Sequence, residues 1–92
     1  MILKEKVIIV TGAARGIGKV YAKGIAEAGG KVVVADILDG DSTLEEVRQA
    51  GGEALCVHTD VSDEQSVQAL AETTHNHFGR IDGLVNNAAM FA

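Results

Sequence analysis

The sequence has few of the residues that cross-link a chain or interrupt its regular elements. Its 92 residues include one cysteine, no proline and no tryptophan, and aromatic residues make up only 3%. The single cysteine, Cys56, excludes an intrachain disulfide framework and favours a reducing compartment, so we expect a cytoplasmic protein. The absence of proline indicates regular elements joined by short connections.

Positive charge is also scarce, since the formal net charge is -5. Nucleic acids and anionic membranes attract clustered Lys and Arg, so we expect binding to neither. The N-terminal residues lead into only four apolar residues, Val7 to Val10, which is too short for a signal-peptide core or a membrane span. An acidic chain can still bind phosphate through backbone N–H groups at a helix start.

Apolar runs alternate with helical patterns along the whole chain. Runs rich in β-branched residues predict four strands, at 7–10, 31–35, 53–59 and 81–85. The three amphipathic patterns between them predict helices that end at Gly29-Gly30, Gly51-Gly52 and Phe78-Gly79. This order predicts one α/β domain over residues 1–92, with parallel strands joined by right-handed crossovers and helices on both faces.

The spacing within the helical patterns predicts the buried faces and the helix starts. One apolar face of the first helix comprises Ile17, Val20, Tyr21, Ile25 and Ala28, and one face of the third comprises Val67, Leu70, Ala71 and Thr74. Capping-box spacing predicts that the second helix opens at Ser42-Thr43-Leu44-Glu45 and the third at Ser62-Asp63-Glu64-Gln65. Cys56 lies in mid-strand and is expected to be a small buried hydrophobe.

A glycine-rich segment joins the first predicted strand to the first helix. We call it the glycine loop, and its sequence is Thr11-Gly12-Ala13-Ala14-Arg15-Gly16-Ile17-Gly18. The glycine spacing alone is a weak signal, but a strand-loop-helix setting offers free N–H groups and a helix dipole to a diphosphate. Gly12 permits the tight turn, Gly16 lets the backbone approach a pyrophosphate, and Gly18 allows close helix packing. The alternative is a glycine-rich turn without a ligand.

An acidic residue, Asp36, ends the second predicted strand, 18 residues after Gly18. A carboxylate there accepts hydrogen bonds from adenosine ribose hydroxyls and repels a 2′-phosphate, so Asp36 favours NAD over NADP. Arg15 argues the other way, because a guanidinium can bind a 2′-phosphate. We give Asp36 more weight, with a solvated strand-end acid as the alternative.

Four motifs in this order, each at a predicted strand end, resemble the classical branch of the short-chain dehydrogenase/reductase family. They are the glycine loop, Asp36, Asp60-Val61 and Asn86-Asn87-Ala88-Ala89. The resemblance spans the whole chain and implies a Rossmann-type three-layer α/β/α fold with sheet order 3-2-1-4. It also implies a nicotinamide dinucleotide cofactor, bound by Gly12, Ala14, Arg15, Gly16, Ile17, Gly18, Asp36, Ile37, Asp60, Val61, Asn87, Ala88 and Ala89.

The resemblance assigns individual roles in the second half of this set. Asp60 would accept from the adenine amino group, Val61 and Ile37 would contact the ring, and ordinary loop chemistry and packing are the alternatives. Asn86 would tie neighbouring strands together. Ala89 stands where the family usually has glycine.

The catalytic residues of the family are not found in these 92 residues. Hydride transfer to or from a carbinol needs an acid/base, which the family supplies as Tyr-x-x-x-Lys with a serine. The single tyrosine, Tyr21, is followed four residues on by Ile25. The resemblance thus covers about the first third of a family member, and we expect no turnover by this chain alone. His75 and His77 point to different sides of a helix, which argues against a metal pair.

Three functions remain open at this point. The first is the cofactor-binding part of an oxidoreductase that acts on a small alcohol or ketone. The second is a stand-alone dinucleotide-binding module without catalysis. The third is an interaction piece that self-associates, because the strand at Leu84-Val85 would be an exposed sheet edge.

Overall fold

The computed structural model describes residues 2–88, which form four strands and three helices. In chain order these are β1 (Val7–Thr11), α1 (Gly16–Glu27), β2 (Lys31–Asp36), α2 (Asp41–Gln49), β3 (Ala54–His58), α3 (Glu64–Phe78) and β4 (Gly83–Asn86). The alternation predicted from the sequence is confirmed, with strand bounds that shift by one or two residues. Ala89, the last of the predicted cofactor residues, lies outside the described residues.

The four strands form one parallel sheet in the order β3-β2-β1-β4, as predicted. β1 lies inside the sheet, where Val10 is paired with Val34 of β2 on one side and with Val85 of β4 on the other. The chain runs outward from β1 to β3 and then crosses back to begin β4. The strand order therefore reverses between β1 and β4, and in open α/β sheets a ligand crevice forms at such a reversal.

Helices cover both faces of this sheet. Because side chains alternate along a strand, neighbours such as Val33 and Val34 enter opposite apolar clusters. Helices α1 and α2 cover one cluster, which contains Val10, Val32, Val34, Ala22, Ala26 and Val47. Helix α3 covers the other, which contains Ile9, Val33, Ala35 and Leu70. The result is the predicted three-layer α/β/α arrangement.

The predicted buried face of α1 is wrong at three of its five residues, whereas Ile25 packs against the core and Ala28 is half-buried. Ile17, Val20 and Tyr21 are exposed, and Val20 retains 66% of its accessible surface. The residues of α1 that are buried are the small ones, Gly18, Ala22 and Ala26. Helix α1 approaches the sheet so closely at these positions that small side chains fill the contact, and Ile17, Val20 and Tyr21 lie on the outer surface.

The predicted capping box of α2 is also wrong. The helix begins at Asp41 after Gly40, and the Asp39 carboxylate accepts from the Asp41 N–H at 2.9 Å. The two residues predicted to open the box make contacts with other elements. The Ser42 hydroxyl accepts from the Lys19 ammonium at 2.6 Å, and the Thr43 hydroxyl donates to the Ala13 carbonyl at 2.7 Å.

Helix α3 agrees better with its sequence pattern. Asp63, inside the predicted start segment, accepts from the Gln65 N–H at 3.0 Å. The helix ends at Gly79, whose φ of 80° is left-handed. Leu70 and Thr74 are buried as predicted, whereas Val67 and Ala71, assigned to the same face, are exposed.

Cys56 of β3 is only half-buried, although a buried position was predicted. Desolvation, followed by the nearby Asp41 and Asp39 charges, raises the pKa of its thiol. The thiol therefore stays protonated near neutral pH and is a poor nucleophile.

Candidate functional site

The loops that follow the four strands surround one cavity of about 600 Å³. It lies at the carboxyl ends of the strands, where the strand order reverses. Each strand end contributes to its wall. The lining residues that the sequence predicted are Gly12, Arg15, Gly16, Asp36, Ile37, Asp60, Val61, Asn87 and Ala88.

Three other predicted residues do not line this cavity. Ala14 is buried behind the loop, and its N–H donates to a carboxylate oxygen of Asp36 at 3.0 Å. The Ile17 side chain is exposed on the outer surface of α1. Gly18 packs against the backbone at the start of the loop, where a Cβ on this residue would lie 2.0 Å from the Gly12 carbonyl oxygen.

The glycine loop has the backbone geometry that an anion cradle needs. Gly12 and Gly16 have φ values of 66° and 62°, a left-handed conformation that favours glycine. Apart from its chain neighbours and the backbone of its own helix, no atom of the described residues lies within 4 Å of the position that a Gly16 Cβ would take. A phosphate group can therefore approach the backbone there without meeting a side chain.

The start of α1 adds a favourable electrostatic field to this cradle. The helix begins at Gly16, the preceding Arg15 makes no side-chain cap, and the first turn contains no acidic residue. The N–H groups of that turn have no partner within the helix, and the positive end of the helix dipole is not neutralised by a carboxylate. Loop and helix start together fit a diphosphate.

The Asp36 carboxylate is held by backbone on both oxygens. One oxygen accepts from the Ala14 N–H, and the other accepts from the Leu38 N–H at 2.9 Å. Each carboxylate oxygen can accept more than one hydrogen bond. Asp36 can therefore bind ribose hydroxyls and keep both of its backbone contacts.

Asp60 is fixed in a similar way at the end of β3. The Ser62 hydroxyl and the Ser62 N–H both donate to its Oδ1, at 2.6 and 2.9 Å. The Ser62 hydroxyl is the main cause that lowers the pKa of Asp60, so the carboxylate is ionised at neutral pH. In the described part of the chain its Oδ2 makes no hydrogen bond, so this residue of the cavity wall keeps an acceptor available to a ligand.

Thr11 joins the ends of β1 and β4, a role that the sequence reasoning missed. Its buried hydroxyl accepts from the N–H groups of Asn87 and Ala88 at 3.0 and 3.1 Å, and lies 3.2 Å from Oδ1 of Asn86. The Asn87 side chain in turn donates to the Gly12 carbonyl at 3.2 Å. A threonine that ends a buried strand needs partners for its hydroxyl, and this was the available signal.

Four further residues of the cavity wall were not predicted: Ala35, Leu38, Thr59 and Ser62. Two of them could have been found. Leu38 and Ser62 each follow an aspartate by two residues, a spacing at which the backbone N–H commonly bonds the aspartate side chain. Both make that bond here.

The described residues offer neither a metal site nor a membrane span. Within residues 2–88, no three His, Cys, Asp or Glu side chains gather closely enough to hold a metal ion. In the same part of the chain, no helix has the length and apolar character required to cross a membrane.

Comparison with known proteins decides the family. The family model for short chain dehydrogenase matches residues 6–92. The chain belongs to the short-chain dehydrogenase family. Cis-4-hydroxycyclohexanecarboxylate dehydrogenase of Sinomonas cyclohexanicum is one similar member, 47% identical over 87 residues that cover 94% of this chain and 35% of the relative.

Solved structures of short-chain dehydrogenases share the fold. Hydroxysteroid dehydrogenase from Escherichia coli superposes with a TM-score of 0.92 at 41% identity, over 96% of this chain and 38% of that one. Xylitol dehydrogenase with bound NAD⁺ gives 0.91 at 33% identity, over 96% and 35%. The chain therefore spans about a third of the length of the short-chain dehydrogenases that it matches.

Two alanine substitutions in α1 test the close approach of this helix to the glycine loop. Gly18→Ala should destabilise the fold by about 1–3 kcal/mol, because the methyl group collides with the Gly12 backbone. Gly24→Ala is the matched control, since no described atom lies within 4 Å of its Cβ position. It should stabilise the fold by about 0.5–1 kcal/mol through helix propensity. Urea unfolding measures both changes, and a neutral Gly18→Ala would contradict the packing described here.

Proposed function

We propose that residues 1–92 form one dinucleotide-binding unit, the NAD-binding N-terminal part of an oxidoreductase. The complete enzyme transfers hydride between NAD and a small alcohol or ketone. When bound, the nicotinamide supplies or accepts that hydride. The residues of this chain bind the cofactor and orient it, beginning with its adenosine and diphosphate groups.

The observation that carries this proposal is the set of groups gathered around one cavity. The glycine loop offers free N–H groups for a diphosphate, Asp36 offers carboxylate oxygens for ribose hydroxyls, and Asp60 offers an acceptor for an adenine amino group. Asn87 and Ala88 extend the wall along the end of β4. These groups come from four separate strand ends, and their types match the successive parts of one dinucleotide.

Charge around Asp36 supports NAD over NADP. The carboxylate lies in the cavity wall where a ribose is expected, and a 2′-phosphate at that ribose would meet its negative charge. Arg15 is the single basic residue of the wall, and it is exposed, so its attraction is weakened by solvent. The repulsion from Asp36 therefore decides the preference.

Catalytic groups for this reaction are assigned to the part of a family member that lies outside residues 1–92. Within the chain, the single tyrosine lies on the outer surface of α1 and lacks a lysine four residues on. The chain alone should therefore bind a dinucleotide without turning over an alcohol. A single cysteine cannot form an intrachain disulfide, which suits a reducing compartment, so we place the protein in the cytoplasm.

Isothermal titration with NAD and NADP tests the cofactor assignment. The chain should bind NAD at least about tenfold more tightly than NADP. The NAD ribose can donate hydrogen bonds to the Asp36 carboxylate, and the 2′-phosphate of NADP would be repelled by it. Together these effects should exceed about 1.4 kcal/mol, which corresponds to a factor of ten in affinity. Asp36→Asn should weaken NAD binding and reduce the ratio of NAD affinity to NADP affinity. Asp39→Asn is the matched control: it removes the same charge from a residue outside this cavity wall and should preserve the ratio of NAD affinity to NADP affinity. NADP binding as tight as NAD binding would contradict the assignment.

We also propose that this chain alone self-associates through β4. One edge of β4 pairs with β1, and no strand within residues 2–88 pairs with its other edge. Leu84 of β4 is 61% exposed, and Ile81 just before it is exposed as well. An apolar strand edge with unpaired backbone groups is a template for a second copy of the chain.

Sedimentation velocity over a range of concentrations tests this second proposal. The chain should form dimers or larger species, and Leu84→Lys should shift it towards monomer, because an edge lysine opposes strand pairing. Val20→Lys, which places the same charge on the exposed surface of α1, is the control and should leave association unchanged. A wild-type chain that stays monomeric at every concentration would contradict the proposal.

A further inference from the structure

One peptide group in the glycine loop is held at both of its ends. It joins Ala13 to Ala14, and both residues are buried. Its C=O accepts from the Thr43 hydroxyl at 2.7 Å, and its N–H donates to Asp36 at 3.0 Å. Two side chains from elements outside the loop therefore fix the plane of this peptide.

This peptide lies between two glycines of the loop. Gly12 precedes it and Gly16 follows it, and both adopt left-handed backbone conformations. Glycine can rotate out of that conformation with little steric cost, so the loop needs other restraints. The Gly12 backbone is held directly, because its N–H donates to the Ala35 carbonyl at 2.8 Å and its carbonyl accepts from the Asn87 side chain. The two hydrogen bonds on the Ala13–Ala14 peptide extend this restraint towards Gly16.

We call the two hydrogen bonds from Thr43 and Asp36 to the Ala13–Ala14 peptide the clamp, and Thr43 is well placed to form one side of it. It is fully buried in the first α2 turn, so its hydroxyl bond to Ala13 is shielded from water. Helix α2 is in turn attached to α1, because Lys19 and Lys23 both form ion pairs with Glu46. The position of the Thr43 hydroxyl is therefore tied to the same helix whose start completes the anion cradle.

We propose that Thr43 is a positioning residue for diphosphate binding, acting through the Ala13–Ala14 peptide and without contact to the cofactor. Thr43 is absent from the residues that line the cavity. Its hydroxyl holds the loop so that the N–H groups at the start of α1 face the diphosphate. The inference rests on the proposed dinucleotide site and adds a residue from a different helix to it.

Titration calorimetry with ADP and with adenosine tests this role in two variants of Thr43. Thr43→Val keeps the shape of the side chain and removes the hydroxyl, so ADP should bind about tenfold more weakly. Adenosine, which has no phosphate, should bind as it does to wild type. Thr43→Ser keeps the hydroxyl and should bind ADP like wild type. A loss of ADP and adenosine binding in equal proportion in Thr43→Val would overturn the proposal.

Thr74→Val is the matched control for the loss of a buried hydroxyl. Thr74 is also fully buried and donates at 2.7 Å, but its acceptor is Leu70 within α3, on the opposite face of the sheet. It should lower the stability of the fold and leave the ratio of ADP to adenosine affinity unchanged. If Thr74→Val lowers that ratio as much as Thr43→Val does, Thr43 has no specific positioning role.

Hydrogen exchange of the Ala14 amide separates this inference from the proposed function, because it needs no ligand. The amide should exchange about tenfold faster in Thr43→Val than in Thr74→Val. If wild type binds neither ADP nor NAD, the proposed function fails while this comparison still tests the clamp. Equal exchange rates in the two variants would overturn the clamp itself. If Thr43→Val does not fold, Thr43→Ser decides: weaker ADP binding at unchanged adenosine affinity, despite the retained hydroxyl, would overturn the proposal.

Discussion

The site depends on how closely the start of α1 approaches the end of β1. A Cβ on Gly18 would lie 2.0 Å from the Gly12 carbonyl oxygen, so the two backbones touch and no side chain separates them. This contact sets the start of the helix against the strand end and aims its N–H groups at the cavity. The same closeness explains why the buried residues of α1 are the small ones, Gly18, Ala22 and Ala26. Packing and binding geometry thus have one cause.

An acidic chain can offer an anion site because the site is made of backbone. The net charge is -5, and the one basic residue of the cavity wall, Arg15, is exposed. Oriented N–H groups at a loop and helix start attract phosphate without needing clustered Lys and Arg. The two acids of the wall, Asp36 and Asp60, come from other strand ends, and in the proposed function they would select among dinucleotides by their hydrogen bonds and charge.

The sequence predicted the elements well because β-branched runs and glycine stops are local signals. It also predicted which strand ends carry polar groups, and the structure gathers Asp36, Asp60 and Asn87 at one cavity. The sequence pattern predicted the wrong residues where tertiary packing, and not the local hydrophobic pattern, determines which side chains are buried. Periodicity gives weight to large apolar residues, so it assigned Val20 to the buried face, whereas the residues of α1 that are buried are small. Likewise, the capping pattern could not reveal that Thr43 bonds a loop 30 residues earlier.

The central claim is that one dinucleotide is bound by the strand ends around this cavity. Chemical-shift mapping of the ¹⁵N-labelled chain during titration with NAD tests it most directly. The account predicts the largest shifts at backbone amides of the glycine loop and of residues 36–38, 59–62 and 87–88, with little change along the exposed surface of α3. Saturable shifts centred elsewhere would contradict it. No shift at millimolar NAD would also contradict it, because even a Kd of about 1 mM requires only about -4.1 kcal/mol of binding free energy.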